Sequence, residues 1–136
     1  LDPGLMEMAV SRIAVLNKAT FEWNSHAPLA LKGGLPRASL ELVRTAAVVP
    51  PGSRPKTKEE QEIFSDKEWA VLCYTDQVTK NVDVDDEVFD ALRKFLDNTG
   101  IMEITATVAT YNMVSRFLVA MNVAEKNGHE IVMPEQ

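Results

Sequence analysis

Apolar residues recur at three- and four-residue steps through much of the chain, which is the spacing of amphipathic α-helices. Residues 5–18 carry the first such stretch, and residues 21–31 carry a second that ends at the glycine pair 33–34. Glycines commonly close helices in this way. A third stretch begins near Pro36 and must end before the Pro-Pro-Gly cluster at 50–52.

Three further helices are predicted in the second half of the chain. Ser65 and Glu68 have the spacing of a capping box at the start of the fourth helix. Asp85 is a suitable N-cap for the fifth, which the sequence at 98–100 would close, and Thr99 could cap a long sixth helix that continues to about residue 126. Because no stretch alternates as a strand does, the pattern predicts one all-α domain over 1–136, a compact bundle of about six helices.

Residues 48–64 separate the third and fourth helices and show no helical or strand pattern. A connection of that length inside a compact domain is commonly a lid, a binding loop or mobile chain. We expect mobile chain in preference to a lid.

Composition narrows the class of protein. The chain has 46% hydrophobic and 25% charged residues, as ordinary globular domains have. A net charge of -6 without a basic stripe argues against a nucleic-acid partner. Cys73 is the single cysteine, which excludes an internal disulfide and a Cys-x-x-Cys pair and fits a reducing, cytoplasmic setting. Because no apolar run reaches membrane-spanning length, no membrane partner is expected.

Glu22 and His26 lie four residues apart on the second predicted helix, so their side chains share one face. A carboxylate beside an imidazole favours the charged ring and selects its tautomer, and Trp23 between them would reduce local solvation. The pair could therefore transfer protons, although the spacing alone is more typical of a surface pair that stabilises the helix. It supplies only two metal ligands, and the other histidine is His129, so no metal is expected.

The segment 19–26, followed by Ala30 and the pair 34–35, resembles the glutamate-tryptophan-x-x-histidine segment of carboxymuconolactone decarboxylase-like proteins, within the alkyl hydroperoxidase D-like superfamily. The resemblance continues over most of the chain, at Glu7, Arg12, Asn17, 70–79 and 111–116. It implies the all-α fold of that superfamily and assembly as a homotrimer or homohexamer. The Met- and Leu-rich faces of the first and last helices are candidate contacts.

The redox members of that superfamily carry Cys-x-x-Cys-x-x-x-His, and the resemblance places their cysteines at Ala19 and Glu22 here. Neither is a thiol, so peroxidase and disulfide chemistry is excluded. The same alignment places Glu7 where the superfamily has a glutamate of its proton relay. The resemblance thus implies His26, Glu22 and Glu7 as catalytic residues, whereas an exposed glutamate at the start of a helix needs no function.

Four other residues are candidates for substrate binding. Trp23 flanks the dyad, and Tyr111 and Asn112 could offer a hydroxyl and an amide to a ligand, although a core role is the more common one for such residues. Arg12 could hold a substrate carboxylate, yet an arginine that ties helices together through a buried carboxylate such as Asp76 is more common.

Taken with the resemblance, these residues predict a cofactor-independent lyase or isomerase. In this hypothesis a Glu/His pair moves a proton next to a carbonyl in a small carboxylic acid, lactone or polyketide, as decarboxylation, isomerisation or cyclisation in secondary metabolism requires. The alternative is a non-catalytic helical module that binds a ligand or partner and keeps only the scaffold.

Overall fold

The computed structural model describes all residues 1–136 and is entirely helical, which confirms the predicted all-α bundle. It has no β-strand and seven α-helices, one more than the pattern predicts. In chain order they are α1 (Pro3–Leu16), α2 (Thr20–Lys32), α3 (Arg37–Thr45), α4 (Lys58–Ile63), α5 (Asp66–Asn81), α6 (Asp86–Arg93) and α7 (Asn98–Ala120). No helix is both long enough and apolar enough to cross a bilayer.

Helix α1 is the centre of the bundle and packs against α2, α3, α5 and α7. Most of its apolar residues are buried, with Met6 and Val15 partly exposed, and the small side chains of Ala9, Ser11 and Ala14 are buried as well, which lets other helices approach from the remaining directions. The helix therefore has no free apolar face. The expectation that a Met- and Leu-rich face of the first helix contacts another subunit is wrong, because Met8 and Leu16 are buried inside their own chain.

An ion pair buried in the bundle joins α1 to α5. The Arg12 guanidinium donates from Nε and Nη2 to the two carboxylate oxygens of Asp76, both at 2.7 Å. Its Nη1 donates to the carbonyls of Val43 and Ala46 at the end of α3, at 2.9 and 3.0 Å. Arg12 is only 1% exposed. The structural use of Arg12 is confirmed, and the expectation that it binds substrate is corrected because the protein itself occupies its donors.

The connection at 48–64 is more ordered than its sequence suggests. It contains α4, which Thr57 and Glu60 begin with a capping box. Arg54 donates to both carboxylate oxygens of Glu60, at 2.7 and 2.8 Å, and this bond holds the pKa of Glu60 at about 2. Lys56 pairs with Asp66 at 3.0 Å. The expectation of a structureless segment is therefore wrong, because pairs of oppositely charged side chains six and ten residues apart bond to one another there.

The ends of the later helices agree with the sequence at some positions and differ at others. The capping box of Ser65 and Glu68 begins α5 as predicted. Helix α6 ends at Arg93, and residues 98–100 belong to the first turn of α7, whose N-cap is Asp97 rather than Thr99. The Asp97 carboxylate accepts from the backbone N–H of Gly100 at 2.8 Å. Helix α7 ends at Ala120 because the following residues enter left-handed backbone conformations.

Candidate active site

The His26 ring is bonded to a carboxylate from a different helix. Helices α1 and α2 form an antiparallel pair around a short turn at 17–19, so a residue early in α1 faces one late in α2. Glu7 and His26 occupy such positions, and Nδ1 of the imidazole lies 2.7 Å from Oε2 of Glu7. The His26 side chain is 18% exposed, and the Glu7 side chain is 23% exposed. The other ring nitrogen, Nε2, forms no hydrogen bond within the chain.

Glu22 lies one turn before His26 but does not bond to it. Both of its carboxylate oxygens are buried without any hydrogen-bond partner, and the residue is 1% exposed. Burial raises the pKa of this carboxyl to about 8, so Glu22 is largely protonated at neutral pH. The predicted Glu22–His26 pair is therefore wrong. Helical spacing places the two residues on one side of α2, but the Glu22 side chain lies in the packed interior and the imidazole reaches α1.

Tyr111 brings α7 to the same place. Its ring packs edge-on against the His26 ring, with the centroids 5.0 Å apart and the planes at 75°. The residue is half-buried, and no hydrogen bond within the chain uses its hydroxyl. The structure thus brings together Glu7, His26 and Tyr111 from three helices, whereas Glu22 contacts none of them through a hydrogen bond.

The remaining predicted substrate-binding residues serve the fold. Trp23 is 1% exposed, and its Nε1 donates to the carbonyl of Val132 in the C-terminal segment at 2.7 Å. The Asn112 carbonyl oxygen accepts from Asn17 at 3.0 Å, and its amide nitrogen donates to Thr79 at 2.9 Å. Neither side chain has a polar group left for a ligand, which corrects the expectation for both.

The chain's other reactive groups lie apart from this cluster. Ala19, at the position of a superfamily cysteine, is a buried core residue. Cys73 is also buried, and burial, followed by the nearby charge of Asp76, raises the pKa of its thiol to about 12. No three histidine, cysteine, aspartate or glutamate side chains come together in a way that could hold a metal ion.

Only one feature of the sequence indicates that Glu7 and His26 lie close together. Nothing in the local spacing links residues 7 and 26, since they lie on different helices. The resemblance alone placed Glu7 in a proton relay, and the structure brings it to the imidazole. The sequence offered Tyr111 as a candidate for ligand binding but gave no signal that its ring contacts His26, because that contact depends on how α7 packs beside α2.

Comparison with known proteins does not assign this chain to a family. No family model matches the sequence, and no curated protein matches it. The interpretation of the cluster therefore depends on its geometry, together with the motif-level resemblance described above.

Proposed function

We propose that this chain is a carboxymuconolactone decarboxylase-like enzyme that catalyses proton transfer without a cofactor, as a lyase or an isomerase. Its substrate would be a small carboxylic acid, lactone or polyketide with a proton next to a carbonyl. The observation that carries the proposal is the 2.7 Å contact between Nδ1 of His26 and Glu7. It leaves Nε2 as the free, proton-accepting nitrogen of a half-buried ring.

In the proposed reaction, Nε2 of His26 removes the proton from the substrate carbon. Glu7 accepts the Nδ1–H hydrogen bond, which selects this tautomer and stabilises the imidazolium that forms. The Tyr111 hydroxyl could donate to the oxygen that becomes negative in the enolate-like intermediate. The imidazolium then returns the proton to the substrate carbon or oxygen, and no redox or metal step is needed for these reactions.

Glu22 has a different role in this proposal. A carboxyl that is protonated at neutral pH adds no second negative charge to the interior of the bundle. Glu7 bonds to the histidine, whereas Glu22 is kept neutral by burial, and enzymes separate acid from base by such unlike carboxyl environments. This contrast supports acid–base chemistry more strongly than a surface Glu/His pair would.

Replacement of His26 by alanine tests the proposal. We expect His26→Ala to lower kcat on small keto acids and lactones by about a hundredfold or more, because the base is removed. The matched control is His129→Ala, since that exposed histidine lies outside the cluster. Glu7→Gln should also slow turnover and change the pH profile. Unchanged rates in folded His26→Ala would contradict the proposal, and ligand binding without turnover in either form would support the non-catalytic module.

We also propose that the protein assembles as a homotrimer or homohexamer through the outer face of α7. Helix α7 buries Ile104 and Val108 against the bundle, yet large apolar side chains also lie on its opposite side. These exposed residues are Met102, Met113, Phe117 and Met121, each 63–70% exposed. A helix that is apolar on both sides is normally covered on both.

The oligomer proposal predicts that Phe117→Glu lowers the assembly state. A charge in the centre of an apolar contact between subunits would have to be buried, so dissociation should follow. Sedimentation velocity measures the mass of the assembly. Val82→Glu is the control, because Val82 is 85% exposed and lies outside α7. A wild-type protein that sediments as a monomer at micromolar concentration would contradict this proposal.

A further inference from the structure

The carbonyl ends of three helices meet around one open hollow. Leu16 is the last residue of α1, Ala120 is the last residue of α7, and Lys80 lies one residue before the end of α5. The hollow has a volume of about 520 Å³, which is within the usual range for small-molecule sites. Neither Glu7 nor His26 lines it, so it is separate from the candidate active site.

Three cationic side chains line this hollow, and no carboxylate does. They are Lys18 in the turn between α1 and α2, Lys80 on α5 and Arg116 on α7. None of the three forms a salt bridge. The chain has 20 acidic residues against 14 lysines and arginines, so a group of cations without an acidic neighbour in its lining is unexpected from the composition.

The helix ends offset only part of this positive charge. The C-terminus of a helix is equivalent to roughly 0.5 of a negative charge, so three ends amount to about 1.5 against three cations. One contact of this kind is present, because Nζ of Lys80 donates to the carbonyl of Leu16 at 3.2 Å. About 1.5 positive charges therefore remain without a partner inside the chain.

Hydrogen bonds hold the Arg116 guanidinium in one orientation. Its Nη1 donates to Oδ1 and to the backbone carbonyl of Asn112, at 2.7 and 3.2 Å. The Asn112 side chain is itself fixed, since Oδ1 also accepts from Asn17 at 3.0 Å and the amide donates to Thr79 at 2.9 Å. Nε and Nη2 of Arg116 form no bond within the chain. The arginine is thus oriented before any ligand arrives, which lowers the entropic cost of binding one.

We propose that this hollow binds the phosphate group of a small phosphate monoester. Such a group carries about 1.5 to 2 negative charges near pH 7, which matches the positive charge that the helix ends leave over. Nε and Nη2 of Arg116 donate to two of its oxygens, in the way that the same two atoms of Arg12 donate to Asp76. Lys18 and Lys80 supply the remaining charge.

The ligand is a soluble ester rather than a lipid headgroup. The net charge of -6 repels a membrane surface that is rich in anionic lipids. A small molecule enters the hollow itself, where the three cations are closer than the acidic residues elsewhere on the surface. The inference does not depend on the proton transfer proposed at His26.

The first experiment titrates the ¹⁵N-labelled protein with methyl phosphate at pH 7.5 and low ionic strength, and follows the Nε–H signal of Arg116 by NMR. We expect a saturable shift. The same titration of His26→Ala should give the same result, so the outcome is separate from that of the proposed catalytic role. Absence of a saturable shift at Arg116 would overturn the proposal.

Methyl sulfate tests the charge of the ligand. It has the same tetrahedral shape as methyl phosphate but carries a single negative charge at this pH. We therefore expect it to bind about fivefold more weakly or less well still. Equal affinity for the two esters would overturn the assignment of a phosphate group.

Substitutions test the location of the site. Arg116→Gln should weaken methyl phosphate binding about tenfold, because it removes two charge-assisted hydrogen bonds. The matched control is Lys58→Gln, which makes the same change of charge at an exposed position on α4 outside the hollow. If Arg116→Gln does not fold, Lys18→Gln replaces it, since Lys18 is exposed in a turn. Wild-type affinity in the folded variant would overturn the proposal.

Vesicles test the source of the phosphate group. Phosphatidylcholine vesicles that contain phosphatidic acid present a phosphate monoester at a membrane surface. We expect the protein not to sediment with them under conditions in which it binds methyl phosphate. Sedimentation that Arg116→Gln abolishes and Lys58→Gln does not would overturn the assignment of a soluble ligand.

Discussion

Replacement of Asp76 by alanine is expected to lower the free energy of unfolding by about 3–5 kcal/mol, because it leaves a buried cation without a partner. The Arg12 guanidinium is 1% exposed and would lose both 2.7 Å bonds to the carboxylate. The backbone N–H of Val49, which donates to the same carboxylate at 2.9 Å, would lose its acceptor as well. Domains of this size have a total stability of roughly 5–15 kcal/mol, so the variant should be close to unfolding.

Urea denaturation followed by circular dichroism measures this loss. The control is Asp66→Ala, which removes the ion pair with Lys56 from an aspartate whose side chain is 86% exposed. Exposed pairs contribute about 1 kcal/mol or less, so the control should remain near wild type. A loss of less than 1 kcal/mol in Asp76→Ala would show that the buried pair does not hold α1 and α5 together.

Replacement of Glu22 by glutamine is expected to make the protein more stable at pH 8 and to remove most of a pH dependence. The folded pKa of Glu22, about 8, lies above its ordinary value of 4.5, so the folded state holds this proton more tightly than the unfolded chain. The stabilisation from the proton is fully present below pH 4.5 and is lost as the pH rises through 8. Glutamine keeps the shape of the neutral acid and cannot ionise.

The expected difference is large enough to measure directly. In the window from pH 4.5 to pH 8, the wild type should lose up to about 1.4 kcal/mol per pH unit from this group, and Glu22→Gln should gain on the order of 4 kcal/mol over it at pH 8. Urea denaturation of both proteins at pH 5 and pH 8 gives the comparison. Glu130→Gln, in the exposed C-terminal segment, is the control. Parallel stability profiles for wild type and Glu22→Gln would show that Glu22 titrates normally.

Local side-chain chemistry explains which elements could be predicted. Ser65 and Glu68 satisfy backbone donors only a few residues away, so their capping box is visible in the sequence and is present in the structure. The sequence at 98–100 shows the limit of such local signals. These residues have the composition of a helix end, but they form the first turn of α7, whose N-cap is Asp97. Helix α4 begins with the same kind of capping box, at Thr57 and Glu60, so its start is also visible in the sequence, but a helix of 6 residues is too short to show an apolar period.

Helix α1 shows why burial is harder to predict than helicity. Its apolar residues recur as in a helix with one buried side, and the prediction of a helix is correct. Small residues such as Ala14 and Ser11 do not reveal from sequence that other helices pack closely against them. Whether the side of α1 that carries these small residues is buried depends on how α2, α3, α5 and α7 are arranged around it.

The sequence by itself determined the helical class and most helix positions, because these follow from spacing and from contacts within one turn. Only the tertiary structure decided that Glu7 bonds to the imidazole and that Glu22 is buried without a partner. The physical reason is that a side chain's partner and solvent exposure depend on which helices pack beside it. Residues 7 and 26 meet through the pairing of α1 with α2, and no local rule contains that contact.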